Sequence, residues 1–299
     1  MAASHRRTGG LLAVTTALFL AACSSSDAPV EPQAVPDSAE DVAVDAEPEI
    51  PPPTRADFPD ETTTGVPEGI ELEESGSLTI DEDGAVVEGL EITGTVTVEA
   101  DDVTIRNTRI LNTGHFPIRV SGGSNLVVED SEIDGQGRAD AAVAFSSYTL
   151  RRVHIHNVAE GPRIAGSNVT IEDSLIHQLV QVGDNHTDVI QVVSGSGIVI
   201  RGNALEVYNP EQDVLGNAAF MFGEDDGPVT DCLVEGNYLN GGNYTVNGGG
   251  GGTDGAACTF RDNVLGPDHN YGAVANLGPQ SDWDDSNLWI DTHDPVRGG

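Results

Sequence analysis

Beyond residue 84 the chain alternates apolar and polar positions in short runs, and the runs are copies of one eight-residue pattern. It begins at Ala85 (AVVEGLEI) and returns at Val103 (VTIRNTRI), Leu126 (LVVEDSEI), Tyr148 (YTLRRVHI), Val169 (VTIEDSLI), Ile198 (IVIRGNAL), Cys232 (CLVEGNYL) and Cys258 (CTFRDNVL). The copies are spaced 18, 23, 22, 21, 29, 34 and 26 residues apart. First, third and eighth positions are mostly apolar, while the second and fourth are mostly polar or charged. That is the period-2 signature of a short strand with one buried face. A second strand series lies between the copies: Phe116 to Val120, Ala142 to Phe145, Arg163 to Ala165, Asp188 to Val193, Ala218 to Phe222, Tyr244 to Asn247 and Tyr271 to Ala275.

Strands this short cannot form a domain alone, so each turn of chain must stack on the next and contribute at least two strands. The predicted fold class is all-β: a single-stranded right-handed parallel β-helix, a solenoid of about eight rungs at about 4.8 Å per rung. Asn203, Asn237 and Asn263 hold the sixth position of successive copies, where amides can bond up the stack and tolerate the left-handed geometry of a sharp turn. Cys232 and Cys258 hold the first position of adjacent copies, a register that predicts a disulfide. A β-sandwich or a propeller predicts neither register.

The N-terminal region reads differently. Arg6 and Arg7 precede an apolar stretch from Leu11 to Leu20, too short for a membrane span, and Leu20-Ala21-Ala22-Cys23 is similar to a bacterial lipobox. The expected organisation is a lipoprotein signal peptide at 1–22, an acylated Cys23 heading a disordered acidic Pro-rich tether at 23–64, and the β-helix domain at 65–299. Export to the outer face of the cell membrane, lipid-anchored, follows. The net charge is −36 with no lysine at all, which removes polybasic binding to nucleic acid or anionic lipid. A monomer is expected.

The stretch RVHIHNVAEGPRIAGSNVTIEDSLIHQLVQVGDNHTDVIQVVSGSGIVIRGN from Arg152 to Asn203, with Gly236-Asn237-Tyr238-Leu239-Asn240-Gly241-Gly242-Asn243-Tyr244-Thr245 and the Leu288-Trp289 ending, resembles secreted actinobacterial β-helix proteins of the pectate-lyase-like superfamily. The resemblance covers Gly84 to Val296 and implies a carbohydrate-active protein acting on a polysaccharide or cell-wall glycan. His186-Thr187-Asp188 with Gln191 resembles the HxDxxQ element of that group. In lyases of the superfamily the base is commonly arginine or lysine, and carboxylates hold calcium. Here that leaves Arg119, Arg163 or His186 as base, with Asp188 and Asp184 as calcium or orienting groups.

Stacking places Arg119, Arg163 and Gln191 on or near one outer surface, with His186 and Asp188 at its rim. Such a group suits β-elimination on a uronate. The predicted catalytic set is Arg163, His186, Asp188 and Arg119; the predicted substrate-binding set is Gln191, His154, His156 and His177, although these histidines follow other strands. A non-catalytic glycan-binding or structural surface module stays open, as does a glycoside hydrolase. For the hydrolase, Asp225-Asp226 in FGEDDG resembles the paired aspartates of polygalacturonase-like enzymes, but the Gly-His-Gly and Arg-Ile-Lys signatures are missing and it reads as a solvated turn. Trp283 and Trp289 read as packing over the open C-terminal end of the coil.

Overall fold

The computed structural model describes residues 51–249 and 252–299. The expected signal segment, Cys23 and the tether as far as residue 50 lie outside the described residues.

Parallel strands stack into three ladders, so a coil carries up to three strands. The first face contains the eight sequence copies in register: Val86–Glu88, Thr104–Arg106, Leu126–Glu129, Tyr148–Arg151, Val169–Glu172, the end of Asp188–Arg201, Val229–Glu235 and Cys258–Arg261, with Asp282–Trp283 added. A second face follows one tight corner later and runs from Glu73–Ser75 and Leu90–Thr93 to Val264–Leu265 and Leu288–Trp289. Its strands are short enough to hide inside the eight-residue pattern, whose seventh and eighth positions begin them. The third face is the second strand series of the sequence, from Leu78–Ile80 to Gly272–Ala275. Inward side chains of all three faces form one continuous core, with Phe220, Phe222, Phe260 and Trp283 clustered towards its C-terminal end.

The corner between the first and second faces corrects one sequence expectation. The left-handed residue is the fifth position of the pattern, not the sixth: Gly89, Asn107, Asp130, Arg152, Asp173, Gly202, Gly236 and Asp262 all have positive φ. Glycine, Asn and Asp tolerate that region best, which accounts for the residues chosen at most coils. The sixth side chain therefore turns inward. Asn203, Asn237, Asn263 and Asn287 are fully buried there. Each Oδ1 accepts from the backbone N–H of the previous coil, and each Nδ2 donates to a strand carbonyl of that coil. Ser131 and Ser174 perform the accepting half of this task in earlier coils.

The fourth position carries a signal that pattern reading did not separate from general polarity. It alternates strictly, as Glu88, Arg106, Glu129, Arg151, Glu172, Arg201, Glu235 and Arg261. Stacking converts the alternation into a column of opposite charges, with contacts such as Arg151–Glu172 at 2.6 Å and Arg261–Glu235 at 2.7 Å. Exposed pairs contribute only about 0–1 kcal/mol each, but a slip by one coil would oppose like charges, so the column specifies register.

Cys232 and Cys258 pair in register with their sulfurs 2.09 Å apart, at disulfide distance, and Cα atoms 4.4 Å apart. Because they enclose a loop of 26 residues in sequence separation, reduction is expected to cost about 3.5 kcal/mol by loop entropy. Guanidinium unfolding with and without reductant checks this, together with a thiol count on the unreduced, denatured chain. An unchanged midpoint would show that the pair adds no restraint.

The expected tether ends earlier than residue 64. A 3-10 turn at Arg55–Asp57 leads a segment that packs on the second face. Arg55 Nη2 lies 2.7 Å from Glu206 Oε1, and its guanidinium sits over the Tyr238 ring. Phe58 packs against the outward cluster of Leu175, Ala204, Tyr238 and Val264. One aromatic and one arginine thus supply the burial that the acidic composition around them lacks. At the other end Trp283 contacts Phe260, and its Nε1 donates to Val296 O at 2.8 Å, so the C-terminal tail closes the coil.

Candidate functional site

Register on the third face stacks Thr97, Arg119, Ala144, Arg163, Gln191, Met221 and Asn247 in one column, one residue per coil. Arg119 and Arg163 are therefore two coils apart, roughly 9–10 Å at the usual strand spacing, with the small Ala144 between them. Arg119 is exposed. Among the described residues it shares with Arg138 and Arg297 the property of having no carboxylate within ion-pair distance. Arg163 is held: its Nε donates to Glu160 Oε2 at 2.9 Å and to Gln191 Oε1 at 3.0 Å, leaving the side chain 32% exposed.

Glu160 is the residue that sequence reasoning missed. It is buried beneath Arg163, and desolvation raises its carboxyl above the usual range against the opposing pull of Arg163. The segment Ala159-Glu160-Gly161 offered only a weak signal, an acid where the alternation calls for an inward position. Gly161 is required there, since a Cβ would meet Val189 O of the next coil at 2.0 Å.

Asp188 departs from its predicted place at an accessible rim. It is fully buried, its Oδ1 accepts from Asn217 Nδ2 at 2.8 Å, and its Oδ2 has no partner. Burial pushes its pKa up to about 7, with the neighbouring Glu160 adding to the rise and Asn217 opposing it. A carboxyl in that condition is a poor donor for calcium, which takes about six to eight oxygen ligands. Asp184 is exposed on the preceding connection. Neither belongs to any group of three or more metal-capable His, Cys, Asp or Glu atoms among the described residues. The pair predicted as calcium ligands is thus not assembled as such.

His186 is exposed beside this buried pair and acts electrostatically on Glu160. It lines a cleft of about 420 Å³ of mixed character, in which Gln181, Asn185, Asn217 and Asn243 stand beside Asp213 and the apolar Val214 and Leu215. Asn217 thus has one side in the cleft and bonds Asp188 behind it. The enlarged connection before Asp188 supplies the wall, as insertions on a regular scaffold commonly do. Asp225 and Asp226 are exposed in a bend, as a solvated turn should be.

His154, His156 and His177 are not part of this surface. They belong to the second face, where His154 and His156 sit two residues apart on one strand and His177 directly follows the next, its backbone N–H donating to Ile155 O. Their rings cluster, with His154 and His156 centroids 4.4 Å apart. His154 Nε2 faces His177 Nε2 at 2.9 Å, and His156 Nε2 meets Glu132 Oε1 at 3.1 Å. Burial lowers the pKa of His154 to about 3 and of His177 to about 4, each helped by the adjacent rings. Contact with His156 and Arg109 holds Glu132 down at about 2 despite its burial. The corner between the second and third faces separates this cluster from Arg163, which the strand alternation alone could not reveal.

A family model for the right-handed beta helix region matches residues 63–205. The chain is a right-handed parallel β-helix, all-β, and the matched part contains both the arginine column and the histidine cluster. Domains of this kind occur in pectate-lyase-like and other carbohydrate-active proteins. No match is found among curated proteins or among solved structures.

Proposed function

We propose that this is an exported, lipid-anchored carbohydrate-active protein whose third face takes a uronate-containing polysaccharide, with β-elimination as its reaction. The observation that supports this reading is the Arg119–Arg163–Gln191 column, whose Arg163 pairs with Glu160, the carboxyl on which His186 of the neighbouring cleft acts. A polymer chain laid across stacked coils would meet a guanidinium at Arg119 and a second, preset one at Arg163. In this reading the arginines neutralise the uronate carboxylate, which acidifies the C5 proton. His186 takes that proton, the C4–O bond breaks, and the leaving oxygen is protonated from solvent. Arg163 is paired with Glu160 and so serves as an electrostatic partner rather than as the base. Asp188 and Glu160 hold Asn217 and Arg163 in place from behind. With a net charge of −36, the protein needs such local cations to approach a polyanion.

The full burial of Asp188 favours a second reading, a non-catalytic glycan-binding module on the same face. Incubating the protein with a panel of uronate polymers, with and without added calcium, and following ultraviolet absorbance of the unsaturated product separates the two. The lyase reading expects product that falls by about 10²–10⁴-fold in His186→Ala. Binding without product would leave the module reading, and neither binding nor product on any glycan would remove both.

A further inference from the structure

We propose that His154, His177 and Glu61 form a binding site for a divalent transition metal of the zinc type, and that the bound ion clasps residues 55–64 onto the coil. The histidine nitrogens face each other at 2.9 Å, and Glu61 Oε1 lies 3.7 Å from His177 Nε2. All three ligand atoms fall within 4.8 Å of one another. A tetrahedral ion with bonds of about 2.0–2.1 Å sets its ligands about 3.3 Å apart, between the two distances seen. Two imidazoles and one carboxylate suit zinc, cobalt, nickel or copper better than calcium, which prefers all-oxygen sets. Three protein ligands leave a coordination position open to solvent, consistent with the exposed Glu61 and the adjoining cavity of about 330 Å³ beside Arg55, Thr62 and Leu175.

The surroundings support the site and name its opposing charge. His156 stacks on His154 and is itself tied to Glu132 and Asn157, which orders the ring beside the ligand. Arg55 is a cation that acts on His177, and Glu206 offsets it at 2.7 Å. Gly65, whose N–H donates to Arg152 O, brings the segment down directly over His154, and a Cβ at that glycine would touch the His154 Cβ at 3.2 Å. Two ligands thus come from the coil and one from the segment at residues 55–64. The metal would reinforce the docking that Arg55 and Phe58 already provide. The site lies on the second face, away from the arginine column, so its success or failure is independent of the glycan reading.

Calorimetric titration of the full chain with zinc, and the visible spectrum of the cobalt-loaded protein, test the site. Tryptic cutting after Arg55, with zinc or with chelator, tests the clasp. One ion per chain is expected, with affinity reduced more than about 100-fold in His177→Ala, beyond the usual loss for an outer-sphere partner. Glu61→Gln changes an exposed side chain and cannot unfold the coil; it should weaken binding about 10–100-fold and make cutting after Arg55 indifferent to zinc. His293→Ala, half-buried in the C-terminal tail, should bind as the parent does. No zinc bound, or equal binding in His177→Ala and Glu61→Gln, would overturn the site. Zinc binding with unprotected Arg55 would overturn the clasp.

Discussion

Replacing Asn237 with alanine is expected to destabilise the C-terminal coils by about 4 kcal/mol, the largest loss among the changes considered. The side chain donates to Ile200 O and Asn263 Oδ1, and it accepts from the backbone N–H and the amide of Asn203, all at 2.9–3.0 Å and fully buried. Alanine strands the Asn203 N–H and the Ile200 carbonyl away from water. Each orphaned group costs about 1–3 kcal/mol, and the vacated volume adds to that. Asn237→Ser should cost clearly less, because a hydroxyl at this corner position already accepts the same kind of bond at Ser174. In a solenoid the damage is felt mainly by neighbouring coils, so hydrogen exchange in 198–265 is the suitable measurement alongside denaturant unfolding. A loss under about 1 kcal/mol for alanine would mean the ladder is not a principal support of the coil.

Asp188→Asn is expected to stabilise the protein above neutral pH and to have little effect in acid. The folded pKa is raised from 3.8 to about 7, so the native state binds a proton that the unfolded state has released across that window. Stability therefore falls as pH rises between the two values, by on the order of 4 kcal/mol for a shift of that size at about 1.4 kcal/mol per unit. The neutral amide has no charge to desolvate and its carbonyl can still accept from Asn217. His154 and His177 contribute the opposite slope, since their lowered values make the native state reluctant to gain protons as pH falls below the imidazole range. Only the difference between parent and variant isolates Asp188. Melting temperatures from pH 4 to 9 should diverge progressively above pH 4 and level off beyond about 7. Parallel curves would place Asp188 in a hydrated setting. The groups acting on it, Glu160, Arg163 and Asn217, are common to both proteins.

The coil was legible because stacking imposes one pattern on every turn. Eight copies of a period-2 run set the first face, and cysteines in the same position of adjacent copies set the register. Less visible was the second face, whose strands are as short as Leu175–Ile176 and merge with the corner that precedes them. The left-handed residue was misplaced by one because Asn at the sixth position fits both a turn and a ladder, and only the φ angles separate the two uses. The arginine column was legible because each residue lies in a strand with a fixed partner. Burial of Asp188 was not, since nearly every residue at the start of its strand is enclosed, on either side of the alternation. Asn217, which bonds it, stands just before Ala218, the residue stacked on Asp188 in the next coil, outside the strand series. The histidines shared a face for a readable reason, a spacing of two on one strand. Which face that was depended on where an irregular corner fell.

The alternating Glu and Arg column also gives the coil a parity. Gaining or losing a single turn of chain within it would bring two glutamates or two arginines into contact, whereas gaining or losing two turns together would keep every neighbour opposite. The unit by which this solenoid can lengthen without electrostatic penalty is therefore a pair of coils, about 9–10 Å of rod.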